Sequence, residues 1–296
     1  MDQLKHMRIF VAIADAGSLT AAAQALDTSL PSIVRALATL EAHLGVRLFN
    51  RSTRRIALTD EGRRYLLACR QVLSAVHEAD AAARADVTEP TGQLRITAPV
   101  LFGQMHVAPL VNRFVARHAG VSVDLILLDR VTNLVEEGFD AAIRIGTLDD
   151  SSLIAQTVGL VRQVVTASPD YLARHGTPGH PRALRNAECI HISGSSAPRW
   201  HFVDGGRQIN VPVSGRLSFN HGAPAIAACR AGLGFGCFLS YQVAPDIAAG
   251  TLEIVLADYE LPPRPISVIY PHARLLPART RAFIETMREA LAGFSM

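Results

Sequence analysis

The side chains most suited to chemistry in this sequence are basic and hydroxyl-bearing groups within its first sixty residues, and the chemistry they suit is recognition of a polyanion. Ser32, Arg35, Thr39 and His43 fall on the side of one helical stretch opposite to its apolar seam, with Thr28 and Ser29 just before them. Hydroxyls and a guanidinium presented together can hydrogen-bond to phosphate oxygens and to base edges. A second cluster, Arg47, Arg51, Arg54 and Arg55, surrounds Leu48-Phe49 and Ile56-Ala57-Leu58. Apolar anchors on both sides of a cationic loop describe a two-stranded wing able to contact phosphates.

Signatures of covalent or metal chemistry are missing from the sequence. It contains no G-x-x-x-x-G-K-[ST] loop, no H-E-x-x-H and no G-x-S-x-G elbow. Gly232-Leu233-Gly234-Phe235-Gly236 follows a helical stretch and precedes a strand-like one, the reverse of a dinucleotide fingerprint, and is read as a helix-ending turn. His191, His201 and His221 are the histidines that one cleft would have to gather into a metal site; separate hydrogen-bonding roles are the expectation. The sequence therefore argues against an enzyme, and no catalytic residue, cofactor or metal is assigned.

The elements that must position the basic groups are legible from periodicity. Leu4, Met7, Phe10, Val11 and Ala14 mark the buried face of a first helix that Gly17 stops. Ser18 is an N-cap for the alanine-rich stretch Leu19 to Leu26, and Ser29 is a second N-cap after the short turn Asp27-Thr28. Pro31 suits the first turn of the helix that follows, Ile33, Leu37, Leu40 and Leu44 form its apolar seam, and Gly45 ends it. Two short helices joined by a tight turn, the second polar and basic on its free face, form a helix-turn-helix.

Composition constrains the rest. A net charge of +3 over 296 residues is too mild to mark a nucleic-acid binder from totals, so the argument rests on where the basic residues lie. The four cysteines show no C-x-x-C spacing, no signal peptide is recognised, and no apolar run is long enough to span a bilayer. A soluble, cytoplasmic protein without a membrane partner is expected. A stand-alone solute-binding protein would need a secretion signal and would have no use for the first ninety residues.

Phe10-Val11-Ala12, Gly17-Ser18-Leu19-Thr20-Ala21-Ala22-Ala23, Leu40-Glu41, Leu44-Gly45, Leu48-Phe49 with Arg51, and Leu58-Thr59-Asp60-Glu61-Gly62 together resemble the DNA-binding signature of LysR-type transcriptional regulators. The sequence departs from that family at two places where polar residues are common: Leu30 follows Ser29, and Val34 precedes Arg35. Apolar side chains there can meet thymine methyl groups, so a change in the operator read is expected. The DNA-contacting set is Ser18, Thr28, Ser29, Leu30, Ser32, Val34, Arg35, Arg51, Arg54 and Arg55.

From Asp60, read as an N-cap, to Asp86 the chain is a long helix, with Leu66, Cys69, Leu73, Val76, Ala83 and Val87 following a three-then-four spacing that Asp80 interrupts. That seam is expected to form a dimer, because two-fold operators are read by dimers. The resemblance implies the same linker dimer, often assembled into a tetramer, on promoter DNA carrying an interrupted inverted repeat, with RNA polymerase as a further partner. Glu89-Pro90-Thr91-Gly92 breaks the helix.

Beyond Gly92, strand-like runs at Leu94 to Ala98, Val121 to Leu128, Ala141 to Ile145 and Val161 to Thr166 alternate with helical stretches, which is βαβ grammar. Cys189 to Ile192, a hairpin from Trp200 to Val211, Leu217 to Phe219 and Phe235 to Leu239 form a second set; Ile266 to Tyr270 and a helix from Ala278 to Leu291 return to the first. Gly92 to Pro99, Glu137-Gly138 with Asp140, Arg144-Ile145-Gly146, Ser168-Pro169, Ala231-Gly232-Leu233-Gly234 and Tyr270-Pro271 resemble the effector domain of the same family. The expected fold class is α/β with an N-terminal all-α winged helix-turn-helix, a long linker helix, and an effector domain of two α/β subdomains resembling periplasmic binding proteins. The expected boundaries are 1–60 for DNA binding, 61–91 for the linker and 92–296 for the effector domain, with subdomain I over 92–161 and 266–296 and subdomain II over 162–265.

The resemblance implies a small-molecule effector in the cleft between the subdomains. Mapped onto this sequence, the cleft is expected to be lined by Pro99, Val100, Phe102, Gly146, Ser193, Ser195, Asn220 and His221. Val100 and Leu101 stand where family members that hold carboxylates often have Ser or Thr. A ligand with substantial apolar or aromatic character is expected.

Overall fold

The computed structural model describes residues 2–52, 55–83, 89–147, 153–192, 199–271 and 276–295. The chain divides into two compact units, Met1–Gly92 with Val135–Gly138, and Gln93–Leu134 with Phe139–Met296.

In the first unit α1 (Gln3–Ala16) starts where the Asp2 carboxylate accepts the Lys5 N–H at 3.1 Å, and α2 (Leu19–Ala25) starts where Ser18 Oγ accepts the Ala21 N–H at 3.4 Å. Gly17 and Gly45 end α1 and α3 (Leu30–Leu44) with φ of 62° and 69°, a conformation that costs glycine little. The three helices bury Phe10, Ile13, Ala22, Ile33, Leu37 and Leu40 against one another. β1 (Phe49–Ser52) and β2 (Arg55–Leu58) then pair antiparallel with Phe49 opposite Leu58. Phe49 closes the core, its ring centroid 5.3 Å from that of Phe10.

The long helix α4 (Asp60–Ala83) is capped by Thr59, not by Asp60. Thr59 Oγ1 accepts the Gly62 N–H at 2.9 Å, while Asp60 lies inside the first turn with its carboxylate 2.6 Å from the Arg63 guanidinium. This turn presses on the base of the wing: a Cβ at Gly62 would stand 2.0 Å from the Leu48 carbonyl oxygen. Gly62→Ala is therefore expected to cost stability at the upper end of the ~1–3 kcal/mol typical of overpacking. Chemical denaturation followed by far-UV circular dichroism will measure the loss; an unchanged midpoint would mean that the wing gives way freely.

The seam expected on α4 is corrected in part. Cys69 is fully buried, and Leu66 and Leu73 pack beside it on the core of α1 and α3, so these residues complete their own unit. The physical reason is that α1 lies against α4 and leaves an apolar stripe that the nearest covalently attached helix covers. Ala68, Val72 and Ala75, spaced by four and three, form the exposed side of the same helix.

The second unit holds two sheets. The first, ordered β15-β6-β14-β5-β3-β4, comprises β3 (Gly92–Ala98), β4 (Val121–Leu127), β5 (Ala141–Ile145), β6 (Leu153–Val161), β14 (Arg264–Pro271) and β15 (Phe294–Ser295). The second, ordered β11-β8-β12-β7-β13, comprises β7 (Gln163–Ala167), β8 (Cys189–Ile192), β11 (Ser218–Phe219), β12 (Phe235–Leu239) and β13 (Glu253–Val255). β9 (Arg199–Asp204) and β10 (Arg207–Pro212) form a separate hairpin. The expected strand from Val161 to Thr166 is in fact two: β6 ends at Val161 in one sheet and β7 begins at Gln163 in the other, with Arg162 between. Arg162 and Gln163 interrupt the apolar run where the chain crosses between the sheets.

On the first sheet α5 (Val100–Phe102), a π-helical turn over Gly103–Val107 and α6 (Ala108–Arg117) follow one another without a break. α7 (Leu134–Glu137) is a single turn at the boundary between the two units. α11 (Ala278–Leu291) packs Phe283 and Met287 into the same core as Leu94, Ile96, Phe114 and Val268. On the second sheet lie α8 (Pro169–His175), α9 (Gly222–Arg230) and α10 (Ser240–Ala248). Among the described residues no helix is long and apolar enough to cross a membrane.

Candidate nucleic-acid interface and ligand cavity

The free side of α3 carries Leu30, Val34 and Arg35, all exposed, with Leu30 at 41% and Val34 at 36%. Leu30 and Val34 are one turn apart, so two apolar side chains stand beside a guanidinium on one surface. Thr28 is exposed in the turn that leads into α3, where Asp27 takes φ 47°. Ser29 occupies the N-cap position, but its hydroxyl makes no capping bond and lies 2.8 Å from Ser32 Oγ. Cap and recognition were both expected of Ser29; the hydroxyl pair leaves it free of the first role. Ser18 is held as the cap of α2, and Ser32 is half-buried.

The wing is set by α3 itself. Glu41 Oε1 accepts the Leu48 N–H at 2.8 Å and the Phe49 N–H at 3.3 Å, and Thr59 Oγ1 donates to the Arg47 carbonyl at 2.8 Å. A carboxylate on the recognition helix thus fixes where the hairpin leaves it. Arg51 pairs with Ile56 and Arg55 with Ser52 in the β1–β2 register, placing both arginines on the hairpin. Arg54 lies outside the described residues. Glu41 and Thr59 were legible only as family motif positions; the signal that would have found their role is the run of unpaired N–H groups at a strand start.

In the second unit a cavity of about 620 Å³ opens over the ends of the first sheet and the start of α10. Leu128, Val131, Leu153, Ala155, Leu239 and Ile269 supply its apolar wall. Its polar groups are Asp129, Arg130, Thr132, Arg144, Thr147, Tyr241 and Gln242. Arg144 donates to Thr132 Oγ1 and, at 3.4 Å, to the Ile143 carbonyl; Arg130 donates to the Val131 carbonyl at 3.4 Å. Gln242 donates from Nε2 to the Tyr241 hydroxyl at 3.3 Å and accepts the Leu239 N–H at 3.0 Å. Burial pushes the Tyr241 phenol up to about 12, so it is a neutral hydrogen-bonding group there.

Asp129 joins the two sheets' helices. Its Oδ1 accepts the Val100 N–H at 2.9 Å, and its Oδ2 lies 3.3 Å from Nδ1 of His221, the residue before α9. Of the expected effector residues, Pro99 lines the cavity, Val100 and His221 meet at Asp129, and Gly146 stands between the lining residues Ile145 and Thr147. Asn220 is exposed and is not in the lining. Ser193 and Ser195 lie outside the described residues.

Phe102 is a correction. It is fully buried, with ring centroids 4.9 Å from His106, 5.2 Å from Tyr241 and 5.7 Å from Phe294, and belongs to the core behind the cavity. A phenyl ring two residues into a helix that lies on a sheet gains most by turning inward. It supports the cavity through Tyr241 without lining it. His201 pairs with Asn210 Oδ1 at 2.5 Å, and His221 pairs with Asp129. Asp129, Thr132, Tyr241 and Gln242 were missed; the position of Asp129 just past a strand's C-terminal end was the available signal.

Residues 4–63 match the family described as bacterial regulatory helix-turn-helix protein, lysR family, and residues 88–292 match the LysR substrate binding domain. The HTH-type transcriptional regulator PtxR of Pseudomonas aeruginosa is 36% identical, the match covering 97% of this chain and 93% of that protein. The HTH-type transcriptional activator AaeR of Escherichia coli is 32% identical, over 98% of this chain and 94% of AaeR. The solved structure of CrgA, a LysR-type transcriptional regulator from Neisseria meningitidis, is similar with a TM-score of 0.63 and 30% identity, covering 97% of this chain and 98% of that one. Both the helix-turn-helix with its wing and the two-sheet unit around the cavity thus have the same relatives, and the chain belongs to the LysR family of DNA-binding transcriptional regulators, whose C-terminal domain takes a small-molecule effector.

Proposed function

We propose that residues 1–60 read paired half-sites of promoter DNA through α3. Arg35 reaches a base edge, Leu30 and Val34 meet thymine methyl groups, Thr28, Ser29 and Ser32 flank them, and Arg51, Arg54 and Arg55 grip phosphate. The observation that carries this reading is the exposed Leu30–Val34–Arg35 surface on a helix whose other side buries Ile33, Leu37 and Leu40. Residues 61–91 join two copies, now with Ala68, Val72 and Ala75 as the side that faces the partner. Residues 92–296 take the effector in the cavity beside Tyr241, and occupancy shifts the balance between two arrangements of the oligomer. The protein acts by binding, not by catalysis, in the cytoplasm and in contact with RNA polymerase.

Mapping the bound DNA in cells, followed by footprinting of one promoter, tests this. Two protected segments on one face of the duplex, separated by a whole number of turns, are expected. A single half-site bound at full affinity would speak against paired reading.

A further inference from the structure

We propose that Glu260 poises the hinge between the two sheets of the second unit: its buried carboxylate, matched on one oxygen only, opposes full closure of the crossing segments and leaves their arrangement open to control from the cavity. The inference deepens the reading of the cavity as the effector site and rests on it for its regulatory meaning.

The chain passes between the sheets at Arg162, from β6 to β7, and returns into β14 at Arg264, which pairs with Val161. Each passage carries a cation for an acceptor on the other. Arg162 Nε lies 3.2 Å from Glu260 Oε2, and Arg264 donates to Gln163 Oε1. The backbone at Arg162 is fastened as well: its N–H donates to Ser240 Oγ at 3.2 Å, and its carbonyl accepts the Ser240 N–H at 2.9 Å. Ser240 stands between Leu239 and Tyr241, both in the cavity lining, so the crossing is one residue removed from the cavity wall.

Glu260 is the member of this set that the closed arrangement disfavours. Its side chain is 14% exposed, and its Oε1 is buried with no hydrogen-bond donor among the described residues. The guanidinium on Oε2 is itself 44% exposed, where the attraction is screened. Burial pushes the Glu260 carboxyl above its usual range in spite of Arg162. A carboxylate so placed gains hydration when the segments part, and this gain works against the bonds at Ser240. A ligand shifts the balance of two arrangements only by its differential affinity for them, so a narrowed gap lets modest binding in the cavity move the sheets.

Hydrogen–deuterium exchange of the full-length protein, read at single amides with no ligand added, tests this. In the wild type the Arg162 and Ser240 amides are expected to exchange faster than those of the buried Val165 and Val268 within the strands, through an opening short of global unfolding. Glu260→Met removes the carboxylate and leaves Arg162 to solvent, so the two crossing amides are expected to slow by about tenfold relative to Val165 and Val268. Glu260→Gln, which keeps the size of the side chain, is expected to act in the same direction. Arg162→Met leaves the carboxylate without its cation and is expected to speed the crossing amides about tenfold, an effect absent when Glu260→Met is added. Faster exchange on replacing Glu260 would make the pair a simple clamp and overturn the proposal. Equal slowing at all four amides, which reports global stability alone, would overturn it too, as would wild-type crossing amides no less protected than the strand interiors. No ligand enters the measurement, so its failure is distinct from a failure of the cavity reading.

Discussion

Phe10→Ala will cost the N-terminal unit about 3–5 kcal/mol, the range for deleting a buried phenylalanine. Phe10 has no exposed surface and is the ring on which the unit converges, 5.3 Å from Phe49 of the wing and 5.4 Å from Tyr65 of α4. Removing it detaches three elements at once: the helix pair, the hairpin and the long helix. A loss of that size is a large part of the total stability of a small domain, so specific DNA binding is expected to disappear near physiological temperature. The single tryptophan, Trp200, lies in the second unit, buried with Phe202 and Val211, and reports on that unit alone. Its fluorescence transition on heating is expected to stay in place while DNA binding is lost. A shift of both together would show that the two units unfold as one.

Arg35→Ala is expected to weaken binding to the promoter by about 1–3 kcal/mol while leaving binding to unrelated DNA nearly unchanged, as loss of a base contact requires. An equal loss on all sequences would make Arg35 a phosphate contact instead. The neighbouring apolar pair permits a sharper version on the DNA side. Replacing individual operator thymines by deoxyuridine removes only a methyl group, worth roughly 0.8 kcal/mol when buried. At the positions that face Leu30 or Val34, affinity should fall severalfold for the wild type and hardly at all for the Leu30→Ala, Val34→Ala protein. Identical losses in both proteins would separate the apolar pair from thymine reading.

Much of the N-terminal unit was legible because its information is local. The three- and four-residue spacing of Met7, Phe10, Ile33, Leu37 and Leu40, the cap at Ser18 and the stops at Gly17 and Gly45 all act within a turn or two of themselves. Strand runs such as Ala141 to Ile145 and Phe235 to Leu239 were legible for the same reason. Where two readings shared one local pattern, only packing chose between them. Thr59 and Asp60 are both good caps, and the choice fell to Thr59 because its hydroxyl also ties the Arg47 carbonyl. Leu66, Cys69 and Leu73 suit a dimer seam or an intramolecular core equally well by spacing, and α1 was there to cover them.

The cavity shows the same division more strongly. Asp129 binds Val100 N across 29 positions of sequence and His221 across 92, and neither pairing leaves a trace in local composition. Phe102 was expected at the cleft because it follows Pro99 and Val100, yet helix geometry turned it into the core against Tyr241 of α10. By itself, then, the sequence determined the winged helix-turn-helix, the polar and arginine-bearing face of its recognition helix, the βαβ character of the remainder and the family they resemble, since periodicity, capping and turn chemistry are near-neighbour effects. The tertiary structure alone decided which side of α4 stays free, how Glu41 and Thr59 set the wing, and which groups meet in the cavity. Those outcomes depend on elements far apart in the chain competing for the same buried surface and the same hydrogen bonds.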